Sequence, residues 1–327
     1  MRSVEGIPLS HVLITGAAGF LGQRLVNALL SQTERPISKL ILWDHQPGSV
    51  PSGTEAKIVT IQGDLLDEDL RRQAFADRLD VVIHLAAVVS SEAEADFDLG
   101  MRINVDGTRA LLEACRTQGN CPVFIMTSSV AVFGGDLPTT VPDNWQPAPQ
   151  SSYGAEKAIC ERLVSEYCRR GFVDGRVLRL PTIAVRPGKP NRAASSFVSS
   201  VIREPLNGEG AVCAVAPETP LWLMSPNRAV EAMVHVLGIP ASALGSERVL
   251  SLPGVSVRTD DWIAALGRAT NSETMARVAW DFDPDIAAIV QSWPGEFEAT
   301  RAKALGFEAD AGEDEIIAAY MAEQKNI

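Results

Sequence analysis

A glycine-rich turn near the amino end, between an apolar run and a helical pattern, constrains the fold more than any other feature. His11–Thr15 is short and apolar, as a buried strand is, and Phe20–Leu30 carries apolar residues at helical spacing. Between them the segment GAAGFLG places Gly16, Gly19 and Gly22. Glycines at this spacing permit a tight turn, close approach of the backbone to a pyrophosphate, and close packing of helix on strand. We therefore predict a strand, a dinucleotide-binding turn and a helix.

Apolar runs continue to alternate with helical patterns through the first half of the chain. Strands are predicted at His11–Thr15, Lys39–Asp44, Lys57–Ile61, Asp80–His84, Pro122–Thr127 and Gly175–Leu180. Helical patterns fill the gaps and include Asp67–Phe75 and Val105–Cys115. Strands that are apolar on both faces and alternate with helices indicate a parallel sheet covered on both sides. Right-handed crossovers then favour a doubly wound α/β fold of the Rossmann type.

The alternation of apolar runs and helical patterns ends after residue 180, where frequent prolines divide the chain into short elements. We predict a dinucleotide-binding domain over residues 1–180. The remainder, 181–327, is predicted to be a smaller substrate-binding module, with some segments returning to the first domain.

Composition limits the classes of function. The 327 residues include 29 Lys and Arg against 41 Asp and Glu, which gives a formal charge of −12. A negative charge of this size repels the phosphate backbone and so disfavours non-specific nucleic-acid binding. No apolar run approaches the roughly 18 residues that span a bilayer, and Met1–Ser10 lacks the pattern of a signal peptide. The five cysteines form no C-x-x-C pair, as is typical of reduced thiols. We expect a cytoplasmic globular protein.

Asp44 ends the second predicted strand, 22 residues beyond Gly22. A carboxylate at this position can accept hydrogen bonds from adenosine ribose hydroxyls, and it would repel a 2′-phosphate. His45 and Gln46, which follow, supply no arginine to bind such a phosphate. The pattern favours NAD over NADP, with an aspartate that merely caps a turn as the alternative.

Three polar residues suggest alcohol chemistry. Ser129 lies just past the fifth predicted strand, and Tyr153 and Lys157 lie four apart in SYGAEK. On a helix, positions four apart share a face, with Cβ atoms roughly 5–6 Å apart. An ammonium there favours the phenolate form, which can accept a proton from an alcohol, while the serine holds the substrate oxygen. The alternative is a Tyr/Lys pair on a solvated helix.

The segment RPGKPNRAASSF contains several basic and hydroxyl side chains, namely Arg186, Lys189, Arg192, Ser195 and Ser196. Arginine binds carboxylates through two parallel hydrogen bonds. The substrate-binding residues are predicted to be Ser129, Tyr153, Arg186, Arg192 and Ser195. Solvated loop charges explain the same basic residues equally well. No metal site is predicted, since the four histidines are scattered and no H-E-x-x-H spacing occurs.

The motifs GAAGFLG, HLAA, TSSVAVFG, YGAEK and RLP together resemble the extended short-chain dehydrogenase/reductase superfamily across nearly the whole chain. The resemblance implies NAD as the cofactor and Ser129, Tyr153 and Lys157 as the catalytic residues. The cofactor-binding positions that it implies are Gly16, Gly19, Phe20, Leu21, Gly22, Asp44, Asp64, Leu65, Leu85, Ala86, Ala87, Asn104, Thr127, Tyr153, Lys157 and Pro181.

Longer segments, among them DFDLGMRINVDGTRALLEAC, SSVAVFGGDLP and SWPGEF, resemble a narrower group of the superfamily that acts on a four-carbon sugar acid. This resemblance implies that NAD oxidises the C2 hydroxyl while Tyr153 takes the hydroxyl proton. Relatives often dimerise through helices that include the one carrying Tyr153, so the resemblance also implies a homodimer.

Two other functions remain open at this point. A nucleotide-sugar epimerase with tightly bound NAD would use the same fold. However, the segment PLWLMS (220–225) lacks the diphosphate-gripping arginine common in such enzymes, and Phe133 replaces a frequent tyrosine. A non-catalytic dinucleotide sensor would use the fold without needing Tyr153 and Lys157 together.

Overall fold

The computed structural model describes residues 9–32, 35–50, 53–188 and 195–324. The strands are β1 His11–Thr15, β2 Lys39–Asp44, β3 Lys57–Gln62, β4 Val81–His84, β5 Val123–Ser129, β6 Asp174–Leu180, β7 Thr182–Ile183, β8 Ala211–Cys213, β9 Pro220–Met224, β10 Val249–Ser251, β11 Val255–Arg258 and β12 Val278–Trp280. The helices are α1 Phe20–Leu30, α2 Glu68–Ala74, α3 Ser90–Ala95, α4 Phe97–Gly100, α5 Gly107–Gln118, α6 Ser152–Arg169, α7 Ser196–Leu206, α8 Pro226–Val236, α9 Ala241–Leu244, α10 Thr259–Ala269, α11 Ser272–Met275, α12 Pro284–Gln291, α13 Thr300–Ala304 and α14 Glu313–Gln324. A π-helix over Met101–Asp106 precedes α5, and a 3₁₀ turn over Val130–Val132 follows β5.

Seven parallel strands form the main sheet in the order β10-β6-β5-β4-β1-β2-β3. The direction of strand succession reverses between β1 and β4, which makes this the switch point of the sheet. Leu13 and Ile14 of β1 are both fully buried, and they belong to different apolar clusters on the two faces. The prediction of a doubly wound parallel sheet is confirmed.

Two segments from beyond residue 180 complete this sheet and one of its faces. β10 pairs with β6 through Val249 and Val177, and α8 packs beside α1. Met233 of α8 shares an apolar cluster with Leu25 of α1 and Ile14 of β1. β10 and α8 therefore pack against elements of the first half, while the predicted division into two domains at residue 180 stays a prediction.

The remaining carboxyl-terminal elements form two small sheets, β11-β9-β7 and β12-β8, with their own apolar core around Phe197, Trp262 and Tyr320. β7 begins one residue after Pro181, which directly follows β6. The end of β6 therefore joins the two parts of the molecule. Within the described residues, no helix combines the length and apolarity needed to cross a membrane.

Candidate dinucleotide cleft and substrate pocket

The glycine turn has the steric properties that a phosphate-binding turn requires. Gly16 has a φ of +71°, and a Cβ added there would lie 2.6 Å from the backbone nitrogen of Ala86. A Cβ at Gly22 would overlap the carbonyl oxygen of Gly16. Side chains at either position would thus push the turn away from β4 or α1, so the backbone at the mouth of the cleft depends on glycine.

The first turn of α1 faces this mouth with its amide groups available. Phe20 begins the helix, Gly19 is its N-cap, and no side chain of the described residues caps this turn. The first turn also contains no acidic residue. Unpaired N–H groups and the positive end of the helix dipole together favour a bound anion.

Asp44 caps the turn, as the alternative prediction has it, and its contact with ribose stays a prediction. Its Oδ2 accepts a hydrogen bond from the backbone nitrogen of Ala18 at 2.9 Å, and its Oδ1 accepts one from that of Gln46 at 3.0 Å. The carboxylate therefore stabilises the turn. It also lines the cleft, where its remaining lone pairs can accept hydrogen bonds from hydroxyls.

Asp64 lines the same cleft, beside an arginine that the sequence analysis did not identify. Its Oδ1 accepts a hydrogen bond from the backbone nitrogen of Leu66, and its Oδ2 contacts Nη1 of Arg102 at 2.6 Å. Partial burial raises the pKa of Asp64, but these hydrogen bonds and the arginine charge outweigh it and lower the pKa below the ordinary value. Asp64 is therefore a carboxylate acceptor at neutral pH.

The cleft that Asp44 and Asp64 line has a volume of about 540 Å³. The predicted cofactor-binding residues that line it are Gly16, Gly19, Asp44, Asp64, Leu65, Leu85, Ala86 and Ala87. Lining residues that were not predicted are Ala18, Trp43, His45, Gln46, Gly63, Val88, Glu92, Leu99, Arg102 and Ile103. Phe20, Leu21 and Gly22 belong to the adjoining first turn of α1.

Asn104 lies behind the cleft wall. It is 2% exposed, within the π-helix, and its amide bonds both the nitrogen and the carbonyl of Val88. Its Nδ2 also donates to Glu156 at 2.5 Å. Asn104 thus fixes the backbone of a lining residue, and a direct contact with the cofactor stays a prediction.

Tyr153 and Lys157 lie one turn apart at the start of α6, which Ser151 caps by accepting a hydrogen bond from Gly154. Lys157 is buried, and its Nζ donates to the carbonyl of Thr127 in β5 at 3.1 Å. The same Nζ lies 5.7 Å from the centre of the Tyr153 ring. The lysine is therefore held between the sheet and the tyrosine.

Ser129 is the last residue of β5, and its Oγ accepts a hydrogen bond from the backbone nitrogen of Ala131 at 3.2 Å. A Cβ at Gly154 would overlap the carbonyl oxygen of Ala131, so α6 packs directly on the turn that follows Ser129. This close packing brings the serine and Tyr153 to one pocket.

That pocket has a volume of about 90 Å³. Its lining residues are Val89, Ser90, Ser129, Val130, Ala131, Tyr153, Pro181, Thr182, Arg186, Ser195 and Trp293. Val88 lines the cleft and Val89 lines the pocket, so the two spaces adjoin. Ser90, Thr182 and Trp293 were not predicted, and the predicted residue Arg192 lies outside the described residues.

Arg186 supplies the positive charge of the pocket. Its Nε donates to the carbonyl of Ile183 at 3.1 Å, and one Nη lies 3.4 Å from Oγ of Ser195. Burial lowers the pKa of Arg186, while the neighbouring Tyr153 acts in the opposite sense. Arginine remains charged under such shifts, so the guanidinium can bind an anion.

His84 takes no part in this pocket. Thr15 and Thr108 bond its two ring nitrogens at 2.7 and 3.0 Å. Burial lowers the pKa of His84 to about 3, so the ring is neutral. The described residues contain no group of three or more His, Cys, Asp and Glu side chains placed to hold a metal ion.

The model of the NAD dependent epimerase/dehydratase family matches residues 12–235. The chain belongs to this family. It is 52% identical over 322 residues to D-erythronate dehydrogenase of Cupriavidus necator, covering 95% of this chain and 98% of that protein. It is 44% identical over 310 residues to the D-erythronate dehydrogenase of Haemophilus influenzae, with 95% and 98% covered.

Among solved structures, the chain is similar to one described as a nucleoside-diphosphate-sugar epimerase from Agrobacterium tumefaciens. That structure has a TM-score of 0.92 and 39% identity, and the match covers 100% of this chain and 98% of the other. These comparisons confirm the predicted family and NAD as the cofactor.

Proposed function

We propose that this chain is an NAD-dependent dehydrogenase that oxidises the C2 hydroxyl of D-erythronate to give 2-oxo-erythronate. The observation that carries the proposal is one small pocket, beside the dinucleotide cleft, lined by Ser129, Tyr153 and Arg186. A proton acceptor, a hydroxyl donor and a cation are the groups needed to bind and oxidise a 2-hydroxy acid. The names of the two curated relatives support the same substrate.

The cleft fits NAD in chemistry as well as in size. The Gly16 turn and the amino end of α1 would hold the diphosphate, because the helix presents uncapped N–H groups there and no acidic residue stands in its first turn. Asp44 would hold the adenosine ribose, and Lys157 the nicotinamide ribose. When bound, NAD supplies the acceptor for the hydrogen and electron pair that leave the substrate carbon.

Residues of the protein would accept the hydroxyl proton and hold the substrate in place. The ammonium of Lys157, fixed by the carbonyl of Thr127, stabilises the phenolate form of Tyr153 before the transfer. That phenolate takes the proton of the C2 hydroxyl and becomes the neutral phenol. Ser129 accepts from Ala131, which leaves its own hydrogen to donate to the substrate oxygen. Arg186 binds the substrate carboxylate and thereby presents C2 to the cleft.

The structural relative described as an epimerase makes nucleotide-sugar epimerisation the second candidate. A pocket of about 90 Å³ favours a small acid over a nucleoside diphosphate sugar. The segment at 220–225 also offers no arginine for a diphosphate. The two candidates differ in their product, because a dehydrogenase releases NADH while an epimerase retains its cofactor.

The test is to follow the formation of NADH from NAD, or of NADPH from NADP. The substrates are D-erythronate, L-threonate, five- and six-carbon aldonates, and UDP- and GDP-sugars. We expect turnover with D-erythronate and NAD, and far slower reduction of NADP because Asp44 repels a 2′-phosphate. Epimerisation of a nucleotide sugar, with no reaction of the free acids, would reverse the assignment.

We further propose that the protein is a cytoplasmic homodimer. Two apolar side chains near the amino end of α6 support association, with Phe97 59% and Ile159 41% exposed. Light scattering on the purified chain should give twice its mass, and Ile159→Glu should reduce that mass. Cell fractionation tests the location, and recovery outside the cytoplasm would contradict it.

A further inference from the structure

Trp293 forms a wall of the substrate pocket and comes from a part of the chain that is remote in sequence from the catalytic residues. It lies two residues after α12, and its indole is the largest side chain that lines the pocket. The other large lining groups are Tyr153 and Arg186, both of which face the reaction already described. Trp293 therefore bounds the space left for the rest of the substrate.

The segment that carries Trp293 is held firmly in place. The backbone nitrogen of Trp293 donates to the carbonyl of Val290 at 3.1 Å. Ser256 donates to the carbonyl of Gly295 at 2.8 Å, and a Cβ at Gly295 would overlap the ring of Pro220. Contacts on both sides of the tryptophan thus fix the wall relative to β9 and β11.

The fold makes no use of the indole N–H at this position. Nε1 of Trp293 is buried and has no hydrogen-bond partner among the described residues. By contrast, Trp222 and Trp262 donate to backbone carbonyls at 3.4 and 2.9 Å. A buried donor without a partner lowers stability, so what Trp293 contributes is the bulk of its ring.

We propose that Trp293 sets the length of the sugar acid that the enzyme oxidises. This inference rests on the proposed function. With the carboxylate at Arg186 and C2 beside Tyr153, the carbons beyond C2 meet the indole, which leaves room for a four-carbon chain. Removal of the ring opens space for one or two further hydroxymethylene groups.

The test compares Trp293→Ala and Trp293→Phe with the unaltered enzyme, using D-erythronate, a five-carbon aldonate and D-gluconate. For Trp293→Ala, the ratio of kcat/KM for D-gluconate to that for D-erythronate should rise about tenfold or more. Trp293→Phe should raise this ratio less than Trp293→Ala does, because the phenyl ring keeps most of the bulk of the indole in the pocket. Trp280→Ala is the matched control, since that tryptophan is 45% exposed and does not line the pocket.

A ratio of rate constants separates specificity from damage, because partial unfolding lowers both values of kcat/KM by the same factor. If Trp293→Ala is active and its ratio is unchanged, the inference fails while the proposed function stands. If the unaltered enzyme oxidises no free acid, the proposed function fails and this inference falls with it. Should Trp293→Ala not fold, Trp293→Leu carries the same expectation with a smaller loss of volume.

Discussion

Tyr153 is the residue on which the proposed chemistry depends most directly. It stands in the first turn of α6, and Lys157 is fixed beside it by the carbonyl of Thr127. Replacing Tyr153 by Phe removes the proton acceptor and leaves the ring and the helix. We expect kcat with D-erythronate to fall about 10²–10⁴-fold, because that is the usual contribution of a general base.

The control for this variant lies on the same helix. Tyr167 bonds Glu113 away from the pocket, and Tyr167→Phe should keep full turnover. NAD binding, measured by titration calorimetry, should be little changed in Tyr153→Phe. Near-normal kcat in Tyr153→Phe would show that another group takes the proton.

His84 gives the protein a defined response to acid. Its pKa is about 3 in the fold, below its ordinary value near 6.5, because burial disfavours the imidazolium. As the pH falls below about 6.5, the unfolded chain binds a proton that the folded chain does not. The free energy of unfolding should therefore fall by about 1 kcal/mol per pH unit between pH 6 and 5 from this residue.

Urea unfolding at several pH values measures this slope. His84→Gln should make the slope shallower by that amount. An identical slope in His84→Gln would mean that the buried ring takes up its proton without unfolding.

Residues that depend on a local motif could be predicted, and residues that depend on tertiary packing could not. The spacing of Asp44 from the glycine turn, and of Tyr153 from Lys157, is local. The structure places Asp44 in the cleft and Tyr153 in the pocket, with Lys157 buried beside the tyrosine. Arg102 reaches the cleft through its contact with Asp64, and Trp293 reaches the pocket from beyond α12. Both residues lie in segments that carry the resemblance, DFDLGMRINVDGTRALLEAC and SWPGEF, but the residue types there do not show which side chain reaches the cleft or the pocket.

At the scale of elements, the β1–α1 unit is the proposed phosphate end of the cleft, and its geometry leaves no space for a side chain at Gly22. Gly22→Ala should displace the turn, since the added methyl would overlap the carbonyl of Gly16. We expect the Kd for NAD to rise about tenfold or more and the stability to fall by about 1–3 kcal/mol.

Gly210→Ala is the matched control, because the nearest atom to an added Cβ there is the carbonyl oxygen of Arg277 at 3.8 Å. This variant should bind NAD normally in the same calorimetric titration. Normal NAD affinity in Gly22→Ala would contradict a phosphate site at this turn.

The six predicted strands all occur, with ends that shift by at most two residues, because each contains an apolar run. Five of them are mostly buried, while β3, at the edge of the sheet, is only partly buried. β10 was not predicted, since it has only three residues in a loop-rich segment and is defined by its pairing with β6. The helix predicted from Val105 begins as α5 at Gly107, after a π-helix. There the carbonyl of Asn104 accepts from Thr108 and Cys160 side chains, which sequence spacing does not reveal.

At the scale of the whole molecule, the return of α8 and β10 to the main sheet couples the two halves of the chain. Met233 packs with Leu25 in one core, and Leu250 of β10 joins the same cluster. We therefore expect a single cooperative thermal transition in calorimetry, with equal calorimetric and van't Hoff enthalpies. A chain ending at residue 180 should fail to fold, and two resolved transitions would contradict this coupling.

In the proposed reaction, the enzyme breaks the C–H bond at C2 of a four-carbon sugar acid. Incubating the enzyme with NAD and D-erythronate deuterated at C2, followed by mass spectrometry of the reduced nicotinamide, tests it most directly. We predict that the deuterium is found in NADH, with 2-oxo-erythronate formed in equal amount. NADH without deuterium, or deuterated acid recovered unchanged while a nucleotide sugar is epimerised, would contradict the account.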